Sequence, residues 1–167
     1  MTPNDLKKHK LALKQLVTKP SFNPLKRGKK ALPSPLSKLG GARVHSTELL
    51  NLSSDYSAFM YWIDGPIKSD RKFFGHLFTR LASGKLSPIF EFHWHPSHKG
   101  FHCKMPCKTD LNYTSRFLVG APELQLTTDA SLDPKNPSDL LELVFIFCSV
   151  CGIILPNNDP NSLSIWS

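Results

Sequence analysis

Residues 91–107 read EFHWHPSHKGFHCKMPC. They hold four of the seven histidines and two of the four cysteines, with a Pro and a Gly bracketing a turn. Phe90, Phe92 and Trp94 alternate with Glu91, His93 and His95, the period of a half-buried strand. A four-residue loop, 97–100, pairs Pro96 with Phe101, Trp94 with Cys103 and Phe92 with Met105 on an apolar face. The same register sets His95 opposite His102 and His93 opposite Lys104 on a polar face. Turn length and alternation agree, and a slip of one residue would mix the two faces. The stretch therefore reads as a hairpin whose polar side displays Glu91, His93, His95, His102 and Lys104.

Working outward, 56–63 (YSAFMYWI) has the aromatic, apolar composition of a buried strand, closed by Asp64-Gly65-Pro66. The spacing predicts a helix over 69–83: Ser69-Asp70 caps it, Phe73, Leu77 and Leu81 repeat every four residues, and Gly84 stops it. A strand follows at 89–95, and another short one is expected at 123–127. Ser138-Asp139 caps a last helix reaching Cys151. Strand, helix, hairpin and closing helix imply an α+β fold, with helices on one side of a small, mainly antiparallel sheet.

The 167 residues suit one domain. Their net charge of +8 is unevenly spread. Residues 1–44 carry 11 of the 21 Lys and Arg and a single acid, Asp5, which makes that segment +10 and the remainder −2. A helix opening at Thr2-Pro3 precedes a Pro- and Lys-rich linker from Lys19 to Arg43. The expectation is a basic arm over 1–43 and a single folded domain over 44–167. Such an arm attracts nucleic acid or an anionic membrane surface through counterion release and long-range attraction. The longest apolar run, 143–155, is too short to cross a bilayer, so no membrane span is expected. No signal sequence is read, which places the chain in the cytoplasm, where cysteines serve as thiols or metal ligands.

Two constellations bear chemistry. Cys103 and Cys107 form C-x3-C, and Cys148 and Cys151 form C-x2-C followed by Gly152. Two such pairs suit four-coordinate zinc, and His102 or His98 could replace Cys103 if that residue is packed in the core. The alternative is small buried thiols on an apolar helix. Residues 147–152 (FCSVCG) resemble the knuckle of zinc-ribbon proteins, and that resemblance implies structural zinc.

On the polar hairpin face, period-2 geometry aims His93 and His95 to one side, where they could share a divalent cation with Glu91. The His93-Trp94-His95 triplet resembles the His-hydrophobic-His motif of HUH endonucleases, and Tyr113-Thr114-Ser115-Arg116 is similar to their Tyr-x-x-Lys, with Arg for Lys. That resemblance implies metal-assisted nicking of single-stranded DNA, with Tyr113 as nucleophile. A metal-free reading uses His95 and His102 as general base and acid beside Lys104, as small toxin-type ribonucleases do. The function expected is thus binding or cleavage of nucleic acid. A non-catalytic, zinc-stapled binding module is the rival.

Overall fold

The computed structural model describes residues 3–26, 32–96, 100–104 and 132–155. The architecture is α+β. An antiparallel sheet is built from β1 (Asn23–Pro24), β2 (Val44–Ser46), β3 (Leu50–Asn51), β4 (Tyr56–Ile63), β5 (Lys72–Arg80), β6 (Leu86–His95) and β7 (Gly100–Lys104). Its order is β1-β2-β4-β5-β6-β7, with β3 alongside β2 on the same edge of β4. Helices α1 (Pro3–Leu11) and α2 (Pro137–Cys151) complete the described structure.

The central strands are buried on both faces. Directly opposed residues share a face, so the register can be read as rows. Met60, Gly75, Phe92 and Cys103 form one row across β4–β7, and Trp62, Phe73, Trp94 and Phe101 form its neighbour. Helix α2 packs over these rows with Leu143, Val144, Phe147, Cys148 and Cys151, making the main core. Asn136 caps the helix, its side-chain oxygen accepting from the backbone of Ser138 at 2.9 Å and Asp139 at 3.5 Å. Gly152 ends it at φ 63°, and a Cβ there would meet the Lys10 carbonyl at 2.1 Å. Glycine is thus required both by the left-handed stop and by the close approach of α1.

The other face carries a second cluster. Phe59, Tyr61, Phe74 and Phe78 from β4 and β5 meet Val44, Leu25 and Leu36. Leu25 and Leu36 come from the segment read as a linker. Leu16 also enters the main core, and its backbone N–H donates to Ile154 at 2.9 Å, while Gln15 donates to Leu52 at 3.0 Å. Packing against the sheet thus begins well before Val44. Helix α1 spans Pro3–Leu11 and ends eight residues before the Lys19 at which the linker was expected to begin.

The helix expected over 69–83 is not formed. A short 3-10 turn at Lys68–Asp70 leads into β5, which pairs with β4 from Tyr56↔Thr79 to Ile63↔Lys72. Phe73 and Leu77 fall on the α2 side, and Phe74 and Phe78 on the other. A strand buried on both faces loses its polar–apolar alternation, and aromatic residues spaced by four then imitate a helix stripe. The β-preference of Phe and the ladder on both sides of the segment decide the outcome.

The hairpin forms with a four-residue loop set one residue earlier than expected. His95 pairs with Gly100, Trp94 with Phe101, His93 with His102, Phe92 with Cys103 and Glu91 with Lys104. Moving the turn by one residue shifts each partner by two, so every side chain keeps its face. His102 is accordingly the neighbour of His93, not of His95. The strand expected at 123–127 lies outside the described residues.

Candidate functional site

The face opposite α2 gathers the polar residues of the hairpin. Two rows cross it: Phe59, His76, Glu91 and Lys104, and beside them Tyr61, Phe74, His93 and His102. Lys104 and His102 are placed here by backbone register. His95 follows two residues after His93 on β6.

Glu91 is the hub. Its Oε2 accepts from His93 Nε2 at 3.3 Å, and its Oε1 lies 3.9 Å from His76 Nδ1. The rings continue outward, with centroids 6.4 Å apart for His76–His93 and 5.7 Å for His93–His95. Aromatic residues wall the cluster. Tyr61 stacks on His76 at 5.7 Å, and Phe74 meets His93 and His95 edge-on at 4.8 and 5.1 Å. Burial pushes the Tyr61 phenol up from its ordinary value, and the nearby Glu91 charge adds to the shift. Tyr61 is therefore a neutral hydrogen-bonding group at physiological pH.

His76, His93 and His95 are 2%, 6% and 7% exposed, so the cluster is an interior one at the edge of a hydrophobic layer. A carboxylate held against an imidazole in such surroundings fixes the ring's orientation and tautomer. An imidazole held in this way has the fixed orientation that a general base needs, and His93 is nearly withdrawn from solvent.

The sequence pattern puts Glu91, His93 and His95 on one strand face, as the register does, but sets His76 on a helix, away from them. The missing signal was the strand itself: once 72–80 is extended, Phe74, His76 and Phe78 share the face of Glu91 and His93.

The three described cysteines lie on the opposite side of the sheet. Cys103 on β7 and Cys148 and Cys151 on α2 belong to the main core and are 4%, 1% and 4% exposed. Cys148-x-x-Cys151 sits in the closing turns of α2, and Gly152 is its helix stop. The likeness to a zinc-ribbon knuckle thus does not extend to the backbone. Burial pushes the Cys103 and Cys148 thiols up to about 12. It raises Cys151 well above the ordinary range, with Cys148 and Cys103 adding to the effect. Among the described residues, no group of three His, Cys, Asp or Glu side chains is arranged to hold a metal ion. Cys107, His98 and Tyr113 lie outside those residues. No helix among them is long and apolar enough to cross a membrane. Compared with known proteins, the chain matches no family model, no curated protein and no solved structure.

Proposed function

We propose that the chain binds nucleic acid and cleaves phosphodiester bonds at the Glu91–His93 face. The observation that carries this reading is the Glu91 carboxylate held 3.3 Å from His93 Nε2, in a cluster that also contains His76. Glu91 orients His93, and His93 is the base. His102 and Lys104, set opposite His93 and Glu91 by register, supply the acid and the cation. RNA is the substrate that suits this set. A ribose 2′-hydroxyl gives its proton to His93 as its oxygen bonds to phosphorus. The P–O5′ bond breaks, His102 protonates the departing oxygen, and Lys104 offsets charge on the phosphorane. The Lys and Arg side chains of residues 1–44, buried Lys14 excepted, concentrate the polyanion.

The test is incubation of the full-length chain with end-labelled single-stranded RNA and its all-deoxy counterpart in chelator. RNA fragments ending in a 2′,3′-cyclic phosphate, with DNA left intact, support the reading. An intact RNA substrate under these conditions and with added divalent metal sinks it.

A second reading rests on the other face of the sheet. Cys103, Cys148 and Cys151 share one buried layer between β7 and α2, and a structural zinc staple for a non-catalytic binding module would need these thiols to turn from their core packing toward one another and Cys107. Such a site contributes directly to folding, so protein purified without chelator and holding under about a tenth of an equivalent of zinc excludes it.

A further inference from the structure

We propose that the segment Leu11–Val17, with Ile154 beside it, seats the chain on the surface of an anionic phospholipid bilayer. The inference goes beyond the nuclease reading and does not rest on the Glu91–His93 face. After α1 the chain runs extended, and its side chains alternate. Lys14 and Leu16 turn inward at 0% and 3% exposure, while Leu13 and Val17 turn outward at 72% and 63%. Leu11, at the end of α1, is 76% exposed. A parallel bridge pairs Gln15 with Ile154, fixed by Leu16 N–H to the Ile154 carbonyl at 2.9 Å and Ile154 N–H to the Lys14 carbonyl at 2.8 Å. Residues so paired share a face, so Ile154, 42% exposed, joins the outward row between Leu13 and Val17.

Six large hydrophobic side chains stand exposed among the described residues, and four of them are these. Such a concentration marks an interaction surface, unlike singly scattered apolar residues. Its rim is basic. Lys7 and Lys8 on α1 and Lys19 beyond Val17 are exposed, and Asp5 is the lone acid in residues 1–44.

Exposed aliphatic side chains with lysines before and after them in the chain, which outnumber the single acid beside Val17, complement an acyl layer beneath anionic headgroups. Nucleic acid fits the rim but not the strip, which has no aromatic group to stack on a base. A second copy fits neither. Four side chains fall short of the area of roughly 1,200 Å² or more that specific interfaces bury, and two lysine rims would repel.

The test is co-sedimentation of the full-length chain with vesicles of phosphatidylcholine alone and of phosphatidylcholine containing a quarter phosphatidylglycerol. Binding is expected to the anionic vesicles and not to the neutral ones, and it should weaken as salt is raised. The double variant Leu13→Gln, Val17→Gln alters only outward side chains and adds no charge. It should keep its circular dichroism spectrum and lose vesicle affinity roughly tenfold or more. Three results overturn the proposal. One is no binding to anionic vesicles, and another is equal binding by the folded double variant. The third is a dimer or an RNA complex that the double substitution dissolves while vesicle binding persists.

Discussion

Phe147 of α2 lies so close over Gly75 of β5 that a Cβ on Gly75 would meet its Cδ2 at 2.4 Å. The ring fills the space above the middle of the sheet, in the row of Met60, Phe92 and Cys103. Gly75→Ala should therefore destabilise the fold by about 1–3 kcal/mol through overpacking. Phe147→Ala should cost about 3–5 kcal/mol by leaving a cavity. Urea denaturation measures both. Phe147→Leu should offset part of the cost of Gly75→Ala, because it vacates the ring atoms that clash. Simple additivity of the two substitutions would contradict the contact.

Leucines of the N-terminal segment are part of the fold. Leu16 and Leu36 are 3% and 4% exposed and lie on opposite faces of the sheet. Replacing either with Ala should lower stability by about 2–4 kcal/mol, and deleting residues 1–40 should cost more than either. Thermal melts check this. A deletion that leaves the melting temperature unchanged would mean that the body stands without the segment.

Lys14 is fully buried, and its ammonium donates to the carbonyls of His9, Lys10 and Ala12, the last at 2.7 Å. It also sits 4.9 Å from the centre of the Tyr56 ring. These contacts close the end of α1. Lys14→Met keeps the stem but strips donors from three carbonyls, and it should destabilise by about 1–3 kcal/mol. Hydrogen exchange should rise first in residues 8–16.

The core thiols give a pH signature. Their folded values are raised, to about 12 for Cys103 and Cys148, above an ordinary value of 9.0. The neutral thiol is the form the core accepts. Their contribution is fully present below pH 9 and is lost as pH climbs from 9 toward 12, where the unfolded chain ionises first. The slope is about 1.4 kcal/mol per pH unit for each thiol. At pH 8 the native protein should leave Cys103, Cys148 and Cys151 unmodified by iodoacetamide until denaturant is added, as peptide mass spectrometry would show. Rapid native alkylation would contradict their burial.

The legible parts of this sequence are those in which local pattern and tertiary environment agree. Tyr56–Ile63 is read as a strand to the residue, and α2 is read to its last residue with its cap two residues late. In the hairpin one polar and one apolar face make the period visible, so the residues of the candidate face were found even though the turn was misplaced by one. β5 has no such contrast: Phe73 and Leu77 serve one core, and Phe74 and Phe78 the other. His76 disappeared with it, because a helix would have aimed that side chain elsewhere. The burial of Leu25 and Leu36 was hidden for a different reason. Each is a solitary leucine among prolines and lysines, and what buries it is a sheet face formed by residues far along the chain.

On the proposed mechanism, His93, oriented by Glu91, removes a proton during phosphodiester cleavage. The most direct measurement is single-turnover cleavage of a labelled RNA by the full-length chain, His93→Ala and Glu91→Gln, with RNA affinity measured in parallel. His93→Ala should slow cleavage by about 10²–10⁴-fold, with affinity nearly unchanged. Glu91→Gln keeps the shape but removes the charge, and it should slow cleavage by a smaller factor. Cleavage at the wild-type rate by the folded His93→Ala protein, or none by the wild type, would contradict the claim.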